Sequence, residues 1–238
     1  MSGHSKWSTI KHKKGINDAK RAKIFTKYGK LITIAARDGG GASETNFQLR
    51  LAIDRARLEN MPKDNIERAI KRGTGELKDQ AEIKEIIYEA YGPGQVAMLI
   101  KTATDNTNRT LGDVKTLLTK NGGKWVPAGS VGFLFKQVGR IEITTKEDGL
   151  DELEMKAIEA GAEDTEYKDS ILAIYTLPEN LQKVRDALQK NETKIESADL
   201  FFLPNQKASL NEKDLASYEK LLEVLDDQDD VQEIYDNL

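Results

Sequence analysis

The sequence predicts a multi-domain α+β protein, an N-terminal all-α bundle followed by two ferredoxin-like α+β domains, one inserted into the other. Three observations predict it. Apolar residues recur at helical spacing through the first third of the chain. After Glu82 the pattern changes to segments rich in β-branched and aromatic residues. From Arg140 the elements read β-α-β-β-α-β. The 238 residues, 38% hydrophobic and 32% charged, hold enough apolar side chains for more than one core. At about 150 residues per domain, that length admits one to three domains.

Asp18 offers a cap or dipole partner to a first helix, along which Ile24, Phe25, Tyr28, Leu31, Ile32 and Ala35 recur until Gly39-Gly40-Gly41 stops it. Ser43 can cap a second helix running through Leu58. Its apolar positions split between Phe47, Leu51 and Leu58 on one side and Leu49, Ala52, Ile53 and Ala56 on the other, which predicts a sandwiched helix. Pro62 opens a third helix, with Ile66, Ala69 and Ile70 inward and Gly73 at its end.

Ile83 to Tyr91 and Val96 to Thr104 read as a hairpin around Gly92-Pro93-Gly94. Asp105-Asn106-Thr107 then caps a helix carrying Leu111, Val114, Leu117 and Leu118, which stops at Asn121-Gly122-Gly123; Val131 to Phe135 is strand-like. The β-α-β-β-α-β segment comprises strand 141–145, helix 150–160, strands 165–169 and 171–177, helix 178–190 and strand 193–202. The last segment has a helix bearing Leu215, Tyr218, Leu221, Leu222 and Leu225, then a strand, Val231 to Tyr235. It cannot bury its leucine face alone, so it is expected to complete the domain begun by the hairpin. The expected domains are 1–78, the basic arm and bundle; 79–135 plus 205–238, a discontinuous α+β middle domain; and 136–204, an inserted ferredoxin-like domain.

Charge is the most informative functional signal. Residues 1–80 hold 18 Lys and Arg against 9 Asp and Glu, whereas the remainder holds 18 against 31. One end is therefore built to meet a polyanion. Within the first 30 residues stand Lys6, Lys11, Lys13, Lys14, Lys20, Arg21, Lys23, Lys27 and Lys30, opposed by Asp18 alone, with Trp7 and His12 interleaved as stacking surfaces. At roughly 100° per residue, Lys20, Lys23, Lys27 and Lys30 fall on one helix face beside the apolar stripe. Arg50 and Arg57, one heptad apart, extend the basic patch. Arg21 projects toward the apolar side, where a structural ion pair competes with a nucleic-acid role. No helix carries Asn, Gln and Arg at major-groove spacing, so the pattern favours backbone and shape recognition, including that of RNA. The alternative is an interaction protein whose α+β domains bind another protein, the arm serving only solubility.

Other chemistries find little support. Without cysteine there is no disulfide, thiolate metal site or cysteine nucleophile. His4 and His12 both sit in the arm, where burial cannot tune them. Gly92-Pro93-Gly94-Gln95-Val96-Ala97 matches a dinucleotide fingerprint in letters, but a strand rather than a helix is expected after it. Gly122-Gly123-Lys124 leads into Trp125, not the Ser or Thr of a phosphate loop. Asp226, Asp227, Asp229 and Asp230 lack the glycine and glutamate of a calcium loop and read as a solvated charge run. Asp105 to Thr110 is explained by capping. No cofactor, metal or small-molecule substrate is indicated. The basic start lacks an apolar core, and no run approaches the roughly 18 apolar residues of a membrane span, so an intracellular location is expected.

Gly3-His4-Ser5-Lys6-Trp7, Lys14 and Asp18-x-Lys20-Arg21-x-Lys23-x-Phe25 resemble the N-terminal signature of the YebC/PmpR family. Asn60-Met61-Pro62-Lys63-Asp64-Asn65-Ile66, Tyr88-Glu89-x-Tyr91-Gly92-Pro93-Gly94, Thr104-Asp105-Asn106-x-Asn108-Arg109-Thr110, Gly129-Ser130-Val131 and Asp230-Val231-Gln232 extend the resemblance across the chain. The sequence departs from the family at Gln95 and at Lys124-Trp125-Val126-Pro127. The resemblance implies a three-domain cytoplasmic protein of a non-enzymatic family labelled as probable DNA-binding transcriptional regulators. Mitochondrial relatives are translational activators, and bacterial ones are linked to translation of proline-rich stretches. The implied partner is thus DNA, or ribosomal RNA or tRNA with the ribosome as its host.

Overall fold

In a computed structural model, which describes residues 18–77, 81–189 and 195–238 with side chains from Arg21 onward, the chain divides into two compact units. Phe133–Lys207 forms one; the described residues up to Gly132 together with Ala208–Asp236 form the other.

The larger unit begins with three helices, α1 (Asp18–Gly39), α2 (Phe47–Leu58) and α3 (Lys63–Gly73). Ile32 and Ala36 of α1 pack with Leu49, Ile53 and Ala56 of α2 and with Ile66 and Ala69 of α3. The cap of α2 is Asn46, not Ser43. Residues 42–46 form a turn of their own, and the Asn46 amide serves both sides of it. Its Oδ1 accepts from Leu49 N at 3.1 Å, while its Nδ2 donates to the carbonyls of Ala35 and Gly40 at 2.7 and 2.8 Å. A serine hydroxyl lacks that second set of donors. Nor is α2 the sandwiched helix: Leu49, Ala52, Ile53 and Ala56 are buried, but Leu58 is 78% exposed. The helix covered on two sides is α1, whose Ile34 packs away from the bundle in a cluster with Ile83 and Ala103.

The same unit continues with β1 (Lys84–Tyr91) and β2 (Ala97–Thr104), an antiparallel hairpin paired from Lys84↔Thr104 to Tyr91↔Ala97. Its turn closes through Gly92 N to Val96 O at 2.8 Å. Gly94 there has φ +70°, and a Cβ would come within 2.2 Å of Leu210, so glycine is required on both counts. A strand follows this turn, which removes the context of a dinucleotide site. Next come α4 (Thr107–Lys120), capped by Asn106 Oδ1 accepting from Arg109 N at 3.1 Å, and the short β3 (Lys124–Val126). The strand expected at 131–135 is absent. Val131 is buried in a loop whose amide hydrogens are committed to Glu89, so they cannot join a ladder.

The smaller unit contains β4 (Phe135–Thr144), α5 (Leu150–Ala160), β5 (Asp164–Lys168), β6 (Ile171–Thr176), α6 (Leu181–Gln189) and β7 (Ile195–Pro204). The sheet order β5-β6-β4-β7, antiparallel throughout, is the split β-α-β arrangement. Ile141, Ile143, Ile174, Leu188 and Ala198 are buried in it. The expected helix end at Lys190, the strand start at Thr193 and the domain boundary at 78/79 lie outside the described residues.

The chain finishes in the larger unit with α7 (Glu212–Asp226) and β8 (Val231–Asp236), which pairs antiparallel with β2 in the order β3-β1-β2-β8. Leu221 and Leu225 of α7 meet Val114 and Leu118 of α4 and Met98 and Ile100 of β2. At roughly 25 cal/mol per Å² of apolar surface removed from water, this shared burial is what the leucine face needed. Tyr218, fully buried, donates its hydroxyl to Asp236 Oδ2 at 3.0 Å. The molecule is thus an α+β fold in which N-terminal helices precede two four-stranded antiparallel sheets. Among the described residues, no helix is long and apolar enough to cross a membrane.

Candidate nucleic-acid interface

Of the basic residues singled out in the sequence, Lys6, Lys11, Lys13 and Lys14, with Trp7 and His12, lie outside the described residues. Lys20 lies on α1, its side chain likewise outside them, and Arg21 is exposed on the same helix. The structure brings Lys23, Lys27 and Lys30 together. Spaced i, i+4, i+7, they share one face of α1, and Ile34 at i+11 continues it.

That face meets the end of α7. Lys23 Nζ donates to Asp227 O at 2.7 Å, Lys27 Nζ to Asp226 O at 2.5 Å and Lys30 Nζ to Asp229 O at 2.9 Å. The last carbonyls of a helix have no partner within it and carry the negative end of its dipole. Lys23 and Lys27 supply both the missing donors and the opposing charge, an interaction worth about 0.3 to 1 kcal/mol per cation at a helix end, while Lys30 reaches the Asp229 carbonyl in the turn beyond it. Lys27 also pairs with Asp226 Oδ1 at 3.2 Å, and Lys30 with Asp230 Oδ1. The run 226–230 is therefore not merely solvated, as its composition suggested, because α1 delivers three ammonium groups to it.

Asp230 is the buried centre of this contact, its side chain 3% exposed. Besides Lys30 it accepts from Arg109 Nη2 at 3.0 Å through Oδ2, and that oxygen lies 2.6 Å from Thr110 Oγ1. Thr110 Oγ1 also lies 2.7 Å from Thr104 Oγ1. The single Thr110 hydrogen is best used on the carboxylate, leaving an oxygen lone pair for the Thr104 hydroxyl. Burial alone would push the Asp230 carboxyl up. Hydrogen bonds from Lys30, Thr110 and Arg109, with the Lys30 charge, outweigh it and hold the group at about 2. Arg109 bridges further to Asp105 at 3.0 Å. A groove of about 510 Å³ opens beside these residues, lined by both signs of charge.

Arg109 and the acidic turn are the residues that sequence reasoning did not assign to this surface. The available signal was Ile34, an apolar residue in line with the lysines, which marks their face as one that packs. Arg50 stacks over the Phe47 ring at 5.3 Å, and Arg57 pairs with Asp54 at 3.4 Å. Among the described residues, no group of three or more His, Cys, Asp or Glu side chains is placed to hold a metal ion.

A second carboxylate organises the hairpin's other flank. Glu89 Oε1 accepts from Gly129 N at 2.6 Å, and Oε2 from Val131 N at 2.6 Å and Gly132 N at 3.0 Å. Burial raises its pKa, but the ring of backbone N–H donors prevails and the net shift is downward.

A family model described as the TACO1/YebC N-terminal domain matches residues 5–76, and one described as the TACO1/YebC second and third domain matches residues 83–238. A protein of Halothermothrix orenii named "Probable transcriptional regulatory protein" is 47% identical over 240 residues, spanning all of this chain and 94% of the relative. One of the same name from Thermotoga maritima is 49% identical over 238 residues, spanning all of this chain and 93% of the relative. The crystal structure of a conserved hypothetical protein from Aquifex aeolicus superposes with a TM-score of 0.85 at 43% identity, covering 98% of this chain and 96% of that one.

Proposed function

Because the chain belongs to the TACO1/YebC family, we propose that it is a cytoplasmic, non-catalytic regulator of gene expression that binds nucleic acid through its basic N-terminal region. The observation that carries this reading is the segregation of charge: nine basic residues against one acid in the first 30, in a chain of net charge −4. Such one-signed clustering is the footprint of a phosphate backbone. The names of the relatives support a role in regulation. RNA on the ribosome is favoured over duplex DNA as the target, because a short basic segment carrying Trp7 suits an RNA cavity that a rigid duplex does not offer.

The test is ultraviolet crosslinking of the full chain in lysate, followed by identification of the recovered nucleic acid, beside a variant lacking residues 1–15. Recovery of ribosomal RNA by the full chain, lost in the deletion, is the expected result. Chromosomal DNA instead would favour the transcriptional reading, and retention without residues 1–15 would remove the arm from the mechanism.

A further inference from the structure

We propose that the acidic turn 226–230 is an intramolecular competitor for the lysine ridge of α1, so that nucleic acid gains Lys27 only by displacing it. This rests on the reading that the N-terminal region binds nucleic acid. The side chains of Lys27 and Lys30 are 15% and 14% exposed, and their ammonium groups already hold an aspartate carbonyl and a carboxylate each. Lys23 is exposed and meets the turn at the Asp227 carbonyl, so the competition is for Lys27, whose ammonium the turn occupies through Asp226 O and Oδ1. The turn offers the ridge what a phosphodiester backbone offers, a row of oxygens carrying negative charge.

The two ends of the turn are held unequally. Asp230 is fixed by Lys30, Arg109 and Thr110, and its carbonyl accepts from Ala103 N at 2.8 Å. Asp226, Asp227 and Asp229 meet α1 at the surface: the Asp226 side chain is 27% exposed, and Asp227 and Asp229 reach the lysines through backbone carbonyls only. Ammonium-to-carbonyl contacts at the surface and one ion pair to a partly exposed carboxylate are individually weak, so a strand with several phosphates in register can replace them. Lys30 stays with Asp230 as the hinge, while the last turn of α7 frays and frees Lys27.

The experiment compares binding of a short mixed-sequence single-stranded RNA by the full chain and by a variant carrying Asp226→Asn, Asp227→Asn and Asp229→Asn. A control carries the same loss of charge elsewhere, Glu147→Gln, Asp148→Asn and Asp151→Asn. The turn variant is expected to bind about three- to tenfold tighter. One added phosphate contact on a single strand, at Lys27, would also steepen its log-log salt slope by about 0.7. Lys27→Gln should cost more affinity in the turn variant than in the parent. On the unaltered chain, saturating RNA should reduce amide-exchange protection at Asp227 and Gln228, whose N–H groups now bond to Glu223 and Leu225. This second measurement decides the matter even if the variant folds poorly. Equal affinity of parent and turn variant with unchanged protection, or equal tightening by the control, would overturn the competition while leaving the arm as the binding element. Absence of RNA binding by both parent and turn variant would overturn the competition and the underlying reading together.

Discussion

Lys30 Nζ and Asp230 Oδ1 form an ion pair that ties α1, near the start of the larger unit, to the turn before its last strand, with the carboxylate side chain only 3% exposed. Removing one partner of a buried pair leaves the other uncompensated, which costs more than the pair contributes net. Asp230→Asn should therefore lower the unfolding free energy by about 2 to 3 kcal/mol. Urea denaturation followed by circular dichroism measures it, and a loss below a few tenths would show that Arg109 and Thr110 re-pair without the charge.

The same pair sets an acid limit. Asp230 titrates at about 2 in the folded chain, below the ordinary aspartate value near 3.9, so its stabilisation is complete above the unfolded value and is lost as pH falls toward the folded one. Roughly 2 kcal/mol should disappear between about pH 5 and pH 2. Asp230→Asn should flatten that part of the stability profile. Parallel profiles for the two proteins would contradict the assignment.

Glu89 should be less forgiving than its position on a strand suggests. Glu89→Gln keeps the shape but turns an NH₂ group toward Gly129 N or toward Val131 N and Gly132 N, where only acceptors fit. A loss of about 1 to 3 kcal/mol is expected, with faster amide exchange at Val131 as its local signature. Unchanged exchange there would mean the loop is held by something else.

Binding of nucleic acid should be steeply salt-dependent. If about five basic groups contact phosphates of B-DNA, the log-log slope is near −4.5, and shallower for a single strand. Lys13→Ala with Lys14→Ala should weaken binding to all sequences alike, and a loss confined to one sequence would signal base readout.

Trp7→Ala separates the two polyanions. Stacking on an unpaired base is worth about 1 to 3 kcal/mol, so ribosome binding should fall several-fold while duplex binding at the same ionic strength barely changes. Selective loss on duplex DNA would favour a transcriptional role.

Much of the architecture was written locally. The hairpin around Gly92-Pro93-Gly94, helix 150–160 and the β-α-β-β-α-β order follow from period, caps and turn glycines, which act over a few residues and so show in a linear pattern. The helix ends were less legible: Ser43 reads as a good cap, but the position went to Asn46 because its side-chain amide also reaches the carbonyls of Ala35 in α1 and of Gly40 just beyond it.

The sequence by itself determined that a basic face exists, because charge and helical spacing are properties of the chain. Only the tertiary structure decided what Lys23, Lys27 and Lys30 face. Their partners lie about 200 residues away, at 226–230, and two charge runs of opposite sign carry no register until Ile34 is seated beside Ala103 and α7 has ended. Burial works in the same way on Asp230: a carboxylate in an acidic run reads as solvated until the fold closes Lys30, Arg109 and Thr110 around it. Long-range electrostatic pairing is selected by the packing of apolar surfaces, and that selection is a property of the folded chain alone.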